Sequence, residues 1–168
     1  LAVCKGLIQQ VEIPKNDAIQ AGDDIEMMVY EHLKSQDTRY ESNPLWESER
    51  YSRKNVRLIS HPDIVLKDDE KKTLYIYEVK ATRFGFEETK ATYKAQLFVH
   101  FLLGKEKAKS LGKDWKVKVF LVHYSTDGLN LSEGVTFDPT RLTVKQVGFN
   151  APMFDISKAM DIVDAFLE

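Results

Sequence analysis

Cysteine is almost absent from this sequence of 168 residues, with Cys4 as its one example. A lone thiol cannot form a disulfide within the chain, and it cannot supply the several thiolates of a zinc ribbon or an iron–sulfur cluster. The sequence also lacks any apolar run close to the roughly 18 residues that a membrane-spanning helix needs. We therefore expect no membrane among its partners and a cytoplasmic location.

An excess of charge of one sign is also missing, because 24 Lys and Arg residues face 26 Asp and Glu residues. This balance excludes a polycation of the histone type. It is compatible with nucleic-acid binding, since the charges of a local basic surface and of an acidic metal site cancel in the net charge of the chain. Repeats and linkers rich in Gly, Pro or Ser are absent, so we expect a single domain over 1–168, with a core over 17–124 and C-terminal strands and a helix over 129–168.

The spacing of apolar residues predicts an α/β fold. Helical spacing indicates helices over 17–34, 87–110 and 155–167, with Asp17 as the N-cap of the first. Runs of β-branched and aromatic residues predict strands over 61–67, 73–80 and 115–124. Residues 38–60 suggest a loop and a short edge strand. This alternating order is typical of a mixed α/β sandwich.

Two carboxylates and a lysine lie on the predicted hairpin of 61–80. Alternation places Glu78 and Lys80 on the same face as apolar residues, where unpaired charges are costly. Pairing of the two strands brings Asp63 near Glu78, and carboxylates at short range favour a hard cation such as Mg²⁺ or Mn²⁺. Lys80 beside such an ion would orient or deprotonate a water. Metal, activated water and lysine together form a site for phosphodiester hydrolysis.

The segment Pro62-Asp63…Glu78-Val79-Lys80 resembles the signature of the PD-(D/E)xK nuclease superfamily. The predicted order of helices and strands is also that of the family's αβββαβ core. The resemblance implies a restriction-endonuclease-like α/β fold, with a central mixed sheet flanked by helices. It implies catalytic roles for Asp63, Glu78 and Lys80, and it adds the carbonyl of Val79 as a metal ligand.

Two helical positions resemble the RecB-like branch of this family. Glu26 stands where that branch carries a helix-borne His or Glu near the metal, which implies a role as catalytic residue and metal ligand. Gln96 resembles the branch's Gln motif, which implies catalytic support, although the Tyr usually found four residues later is His100 here. The resemblance covers roughly 22–124. Members of the branch that hold an iron–sulfur cluster need four cysteines, so that subgroup is excluded.

Each of these residues also has a purely structural interpretation. Asp63 is compatible with a residue that ends a turn and bonds backbone amides, although its place after Pro at the start of a strand favours metal ligation. Glu78 and Lys80 are compatible with a surface ion pair on an edge strand. Gln96 and His100 are compatible with polar groups that are satisfied inside the core, and for His100 this interpretation is favoured. Glu26 lies at the border of an apolar stripe, where a solvated glutamate is ordinary.

Basic residues before the motif suggest a path for nucleic acid. The residues assigned to this path are Arg50, Arg53, Lys54 and Arg57, together with the aromatic Tyr93. A second group of lysines over 105–118 is more typical of a hydrated surface at a helix end.

The sequence therefore predicts a nuclease that depends on Mg²⁺ or Mn²⁺. The preference for DNA follows from the resemblance, and the residues alone leave RNA open. One alternative is a catalytically silent nuclease-like domain that binds nucleic acid or a partner protein. Another is a structural or assembly domain, and the chain is compatible with being part of a larger protein or complex.

Overall fold

The chain forms an α/β fold in which helices flank a central mixed sheet of five strands. The computed structural model describes residues 16–149 and 155–168. Cys4 and nearly all of the segment before the first helix lie outside the described residues. No helix within the described ranges combines the length and apolarity that crossing a membrane requires.

Three helices and seven strands follow one another along the described chain. Their bounds are α1 Asp17–Gln36, β1 Tyr40–Ser42, β2 Trp46–Ser52, β3 Arg57–Ser60, β4 Ile64–Asp68, β5 Thr73–Thr82, α2 Phe86–Leu111, β6 Lys116–Ser125, β7 Leu142–Val147 and α3 Ile156–Phe166. The predicted helices and the three predicted strands are confirmed to within a few residues.

The central sheet has the strand order β1-β4-β5-β6-β7. Strands β4 and β5 form the predicted antiparallel hairpin, in which Ile64 lies opposite Tyr77. Helix α2 then carries the chain back along the sheet, so that β6 runs parallel to β5. Strand β1 pairs antiparallel with β4 at one edge of the sheet, and β7 pairs antiparallel with β6 at the other edge.

The two faces of β5 pack against different helices. Ile76 lies in a core that includes Leu97 and Leu103 of α2. Val79 faces the opposite side, in a core that includes Ile25 of α1. The sheet therefore separates α1 from α2, and an odd or even position on β5 decides which helix a side chain meets.

Helix α2 lies close to the sheet at Gly104. A Cβ at this position would be 2.6 Å from Ile76 Cδ1 and 3.1 Å from Val117 Cγ1. Glycine thus permits the close approach, and the same helix then holds its earlier residues against the end of β5.

Two expectations need correction. The N-cap of α1 is Asn16, whose side chain accepts a hydrogen bond from the Ile19 amide, so Asp17 is already helical. The region 38–60 contains the edge strand β1 but also a separate two-stranded sheet of β2 and β3. The sequence of β2 contains several charged residues, which lie at exposed positions next to the buried Trp46 and Ser48.

Candidate active site

The β4–β5 hairpin places Asp63 beside the end of β5. Asp63 stands immediately before β4, one position beyond the pair formed by Ile64 and Tyr77. Its Oδ2 accepts a hydrogen bond of 2.7 Å from the Val79 amide. The side chain is thus fixed against the neighbouring strand, and the predicted proximity of the two halves of the motif is confirmed.

Glu78 is the most enclosed charged group of the site, with 0% of its surface exposed. Its Oε1 accepts hydrogen bonds of 2.6 Å from both Lys80 Nζ and Gln96 Nε2. Its Oε2 lies 2.8 Å from His100 Nε2. Burying a carboxylate is costly unless it is paired and bonded, and these three contacts meet that condition.

His100 links Glu78 to the small β2–β3 sheet. Its second ring nitrogen, Nδ1, forms a short hydrogen bond with the Ser60 hydroxyl, and both side chains are buried. When Nε2–H donates to Glu78, Nδ1 of the neutral ring is the acceptor for the Ser60 hydroxyl. His100 is therefore a buried histidine with both ring nitrogens bonded, as expected. One of its two partners is Glu78, a predicted site residue.

Lys80 lies between Glu78 and an aromatic ring. Its side chain is 18% exposed, and Nζ lies 4.7 Å from the centre of the Tyr93 ring. Carboxylate and aromatic face together fix the ammonium group at the end of β5. Tyr93, which the sequence assigned to a nucleic-acid path, thus contacts a predicted catalytic residue.

Glu26 approaches the hairpin from α1, on the other side of the sheet. Its Oε1 accepts a hydrogen bond of 3.3 Å from Asn43 Nδ2. The backbone amide of Asn43 in turn donates to the Asp63 carbonyl at 2.8 Å. Sequence reasoning missed Asn43, although the left-handed conformation of this residue (φ 48°) fits the turn that Asn43-Pro44 indicates.

The surroundings shift the pKa values of the three carboxylates of the site in different directions. Burial and the charge of Glu78 raise the pKa of Asp63 to about 8, and burial also raises the pKa of Glu26. Burial acts in the same direction on Glu78, but His100 and Lys80 hold its pKa below the ordinary value. Although burial opposes the charge of Lys80, the carboxylates of Glu78 and Asp63 raise its pKa. Burial therefore favours the protonated forms of Asp63 and Glu26, whereas their close partners favour the charged forms of Glu78 and Lys80.

The donor set suits a hard cation by its chemistry. In each of Asp63 and Glu26, one carboxylate oxygen accepts a hydrogen bond from the described residues and the other accepts none. Oε2 of Glu78 retains one acceptor position besides its bond to His100. Carboxylate oxygens of this kind, with the Val79 carbonyl, are ligands that Mg²⁺ and Mn²⁺ prefer. As the side chains stand, however, no group of three or more His, Cys, Asp or Glu within 16–149 and 155–168 is gathered closely enough to hold a metal.

A cleft of about 350 Å³ opens beside Asp63 and Glu26. Helix α1 forms one wall, and the end of β1 forms the other. The residues that line it are Asp23, Glu26, Met27, Tyr30, Ser42, Asn43 and Asp63. Asp63 and Glu26 are thus reached from the α1 side of the sheet, whereas Glu78 and Lys80 do not line this cleft.

The four predicted nucleic-acid cations lie on the small β2–β3 sheet and its turn, and none of them lines the cleft. Arg53 forms an ion pair of 2.6 Å with Asp161 of α3, and Arg57 pairs with Glu47 at 2.7 Å. Arg50 lies over the Tyr51 ring. Lys54 lies exposed in the turn.

Comparison with known proteins supports the description of the fold. No family model and no curated protein matches the sequence. A structure with similarity to this chain is the crystal structure of SSO0001, with a TM-score of 0.54 and 17% sequence identity. The match covers 96% of this chain and 63% of that one, so this chain spans less than two thirds of that structure's length. At this level of identity, the similarity shows a shared α/β architecture.

Proposed function

We propose that this chain is a metal-dependent nuclease of the PD-(D/E)xK type, which hydrolyses phosphodiester bonds in DNA. The observation that carries the proposal is the meeting of Asp63, Glu78 and Lys80 at one end of a hairpin, beside an open cleft. Glu26 from α1 and Gln96 from α2 reach the same place from opposite faces of the sheet.

The arrangement of elements supports a restriction-endonuclease-like core. With the β2–β3 sheet set aside as an insertion, the order α1, β1, β4, β5, α2, β6 is αβββαβ. The parallel pair β5 and β6, connected through α2, fits the same plan. The cytoplasm is the proposed location for this activity, and DNA is the proposed partner.

In the proposed mechanism, Asp63, Glu78 and Glu26 would hold Mg²⁺ or Mn²⁺ through carboxylate oxygens, with the Val79 carbonyl as a further ligand. Such an ion would supply a Lewis acid for the phosphate and would lower the pKa of a water. Lys80 would position the attacking water, because its ammonium group is fixed at the end of β5. Gln96 holds the Glu78 carboxylate in a single orientation through its hydrogen bond of 2.6 Å.

One observation favours a second function, that of a catalytically silent domain that binds nucleic acid or a partner protein. Glu78 is already satisfied by three side chains of its own fold, so its burial does not require a cation. In that case the buried cluster stabilises the fold, and the cleft binds without cutting.

Titration of Mn²⁺ followed by cleavage of labelled single- and double-stranded DNA and RNA separates the two functions. We expect the native chain to bind Mn²⁺ and cut DNA. Lys80→Gln should retain the ion and lose at least about a hundredfold in rate, as removal of a proton-transfer or water-positioning group does. Lys109→Ala, an exposed lysine near the other end of α2, is the matched control and should cut normally. A native chain that neither binds the ion nor cuts would exclude the nuclease.

A further inference from the structure

One wall of the cleft beside the proposed metal ligands is formed by a single side of α1. The residues of this wall are Asp23, Glu26, Met27 and Tyr30, at spacings of three and four residues. The cleft has a volume of about 350 Å³, which is at the small end of the range for ligand sites and gives room for a single compact group.

Its lining offers no cationic side chain to a phosphate. Three of the seven lining residues are carboxylates, and no Lys or Arg is among them. A cation held by Asp63 and Glu26 would neutralise the inner part of the cleft. The phosphate attached to the occupant would then lie inward, at the proposed metal ligands.

Its apolar part suits a flat ring. Met27 is 61% exposed, and the half-buried Tyr30 stands one turn further along the same wall. Thioether and aromatic groups both make favourable contacts with the face of an aromatic ring. Ser42 and Asn43 on the opposite wall offer hydrogen-bonding groups for a sugar or a base edge.

We infer that this cleft is a subsite for one unpaired nucleoside, namely the base and sugar attached to the phosphate that is cut. The inference rests on the proposed function and adds to it a requirement for a base that has left its duplex. A base pair does not fit into a cleft with room for one compact group.

The test compares two probes of equal charge, decathymidylate and a ten-residue strand of abasic nucleotides. Both are titrated into Lys80→Gln protein with Ca²⁺, so that binding is measured without cleavage. Adding Met27→Ala should weaken binding of decathymidylate about threefold to tenfold, the range for thioether–ring contacts, and leave the abasic strand unchanged. Ile162→Ala on α3 is the matched control, because Ile162 is 63% exposed and lies outside the cleft.

A second readout needs no variant in the cleft. Met27 should oxidise readily with dilute peroxide, and decathymidylate should protect it from oxidation while the abasic strand should not. Both measurements are made whether or not the chain cuts DNA. Base-dependent binding without cleavage would therefore support the subsite and contradict the nuclease. Cleavage with equal affinity for both probes, or no binding of either, would overturn the subsite.

Discussion

His100 Nε2 donates a hydrogen bond of 2.8 Å to Glu78 Oε2, and 3% and 0% of the two side chains are exposed. The contact joins α2 to the sheet at Glu78, which is fully buried. Ser60 bonds the other ring nitrogen, so the orientation of the imidazole is fixed from both sides. The carboxylate is thus oriented by residues from three parts of the fold.

Loss of this contact should destabilise the protein. His100→Ala leaves a buried carboxylate oxygen and the Ser60 hydroxyl without their partner, and we expect the free energy of unfolding to fall by about 2 kcal/mol. His100→Gln, which can still donate a hydrogen bond, should lose less. Urea denaturation measures both, with the exposed His61→Ala as the control. Equal stability of His100→Ala and the native chain would contradict the importance of this contact.

The raised pKa of Asp63 makes stability depend on pH. Folded Asp63 holds a proton up to about pH 8, whereas the unfolded carboxyl releases it near 3.8. The folded state therefore binds more protons over this window, and the stabilisation from that proton is lost as the pH rises through about 8. In metal-free buffer we expect the free energy of unfolding to fall as the pH rises towards about 8 and to level off above that pH.

Saturating Mg²⁺ should restore stability at the upper end of this range, because the ion takes the place of the proton. Asp63→Asn is the matched control, since it removes the titrating group and should abolish both the pH slope and the Mg²⁺ effect. The lowered pKa of His123 acts in the opposite direction, but only near and below its ordinary value of 6.5. A native chain whose free energy of unfolding does not change between about pH 6.5 and pH 8 would show that Asp63 is already ionised there.

Two glycines in helices should respond oppositely to the same substitution. Gly104→Ala places a Cβ 2.6 Å from Ile76 Cδ1, and we expect a loss of about 1–3 kcal/mol from overpacking. Gly22→Ala in α1 meets nothing within 4 Å and should gain up to about 1 kcal/mol from helix propensity. Thermal and urea unfolding of both variants measure the difference. A tolerated Gly104→Ala would mean that α2 can shift away from the sheet.

The proposed basic path can be tested by the salt dependence of DNA binding. Lys54 is exposed in the β2–β3 turn, so Lys54→Ala should lower the slope of log affinity against log salt by about one, with the fold unaffected. Lys109→Ala should leave the slope unchanged. If Lys54→Ala and Arg50→Ala both leave the slope unchanged, the nucleic acid follows another surface.

Local patterns were sufficient to predict the hairpin and its motif. Alternation along β5 correctly separated Ile76 and Glu78 from Val79, because strand geometry alone decides which face a residue occupies. Gln96 and His100 are four residues apart and so share one side of α2. Both side chains bond the Glu78 carboxylate.

Contacts made by loops and short strands could not be read in the same way. Asn43 and Ser60 lie near the ends of short strands without a clear period, and their partners are distant in sequence. The two-stranded sheet was missed because half of β2 is charged and faces outward. The N-cap of α1 shifted by one residue because Asn16 and Asp17 are both good caps, and sequence alone does not rank neighbours of equal quality.

The order of the strands also has a consequence for folding. Asp63 and Val79 are 16 residues apart and belong to a single hairpin, so their contact needs only a short loop to close. The parallel pairing of β5 with β6 must wait for the whole of α2 to be accommodated. We therefore expect the hairpin with its two acidic side chains to assemble early. The helix that brings Gln96 and His100 then encloses Glu78 in a later step.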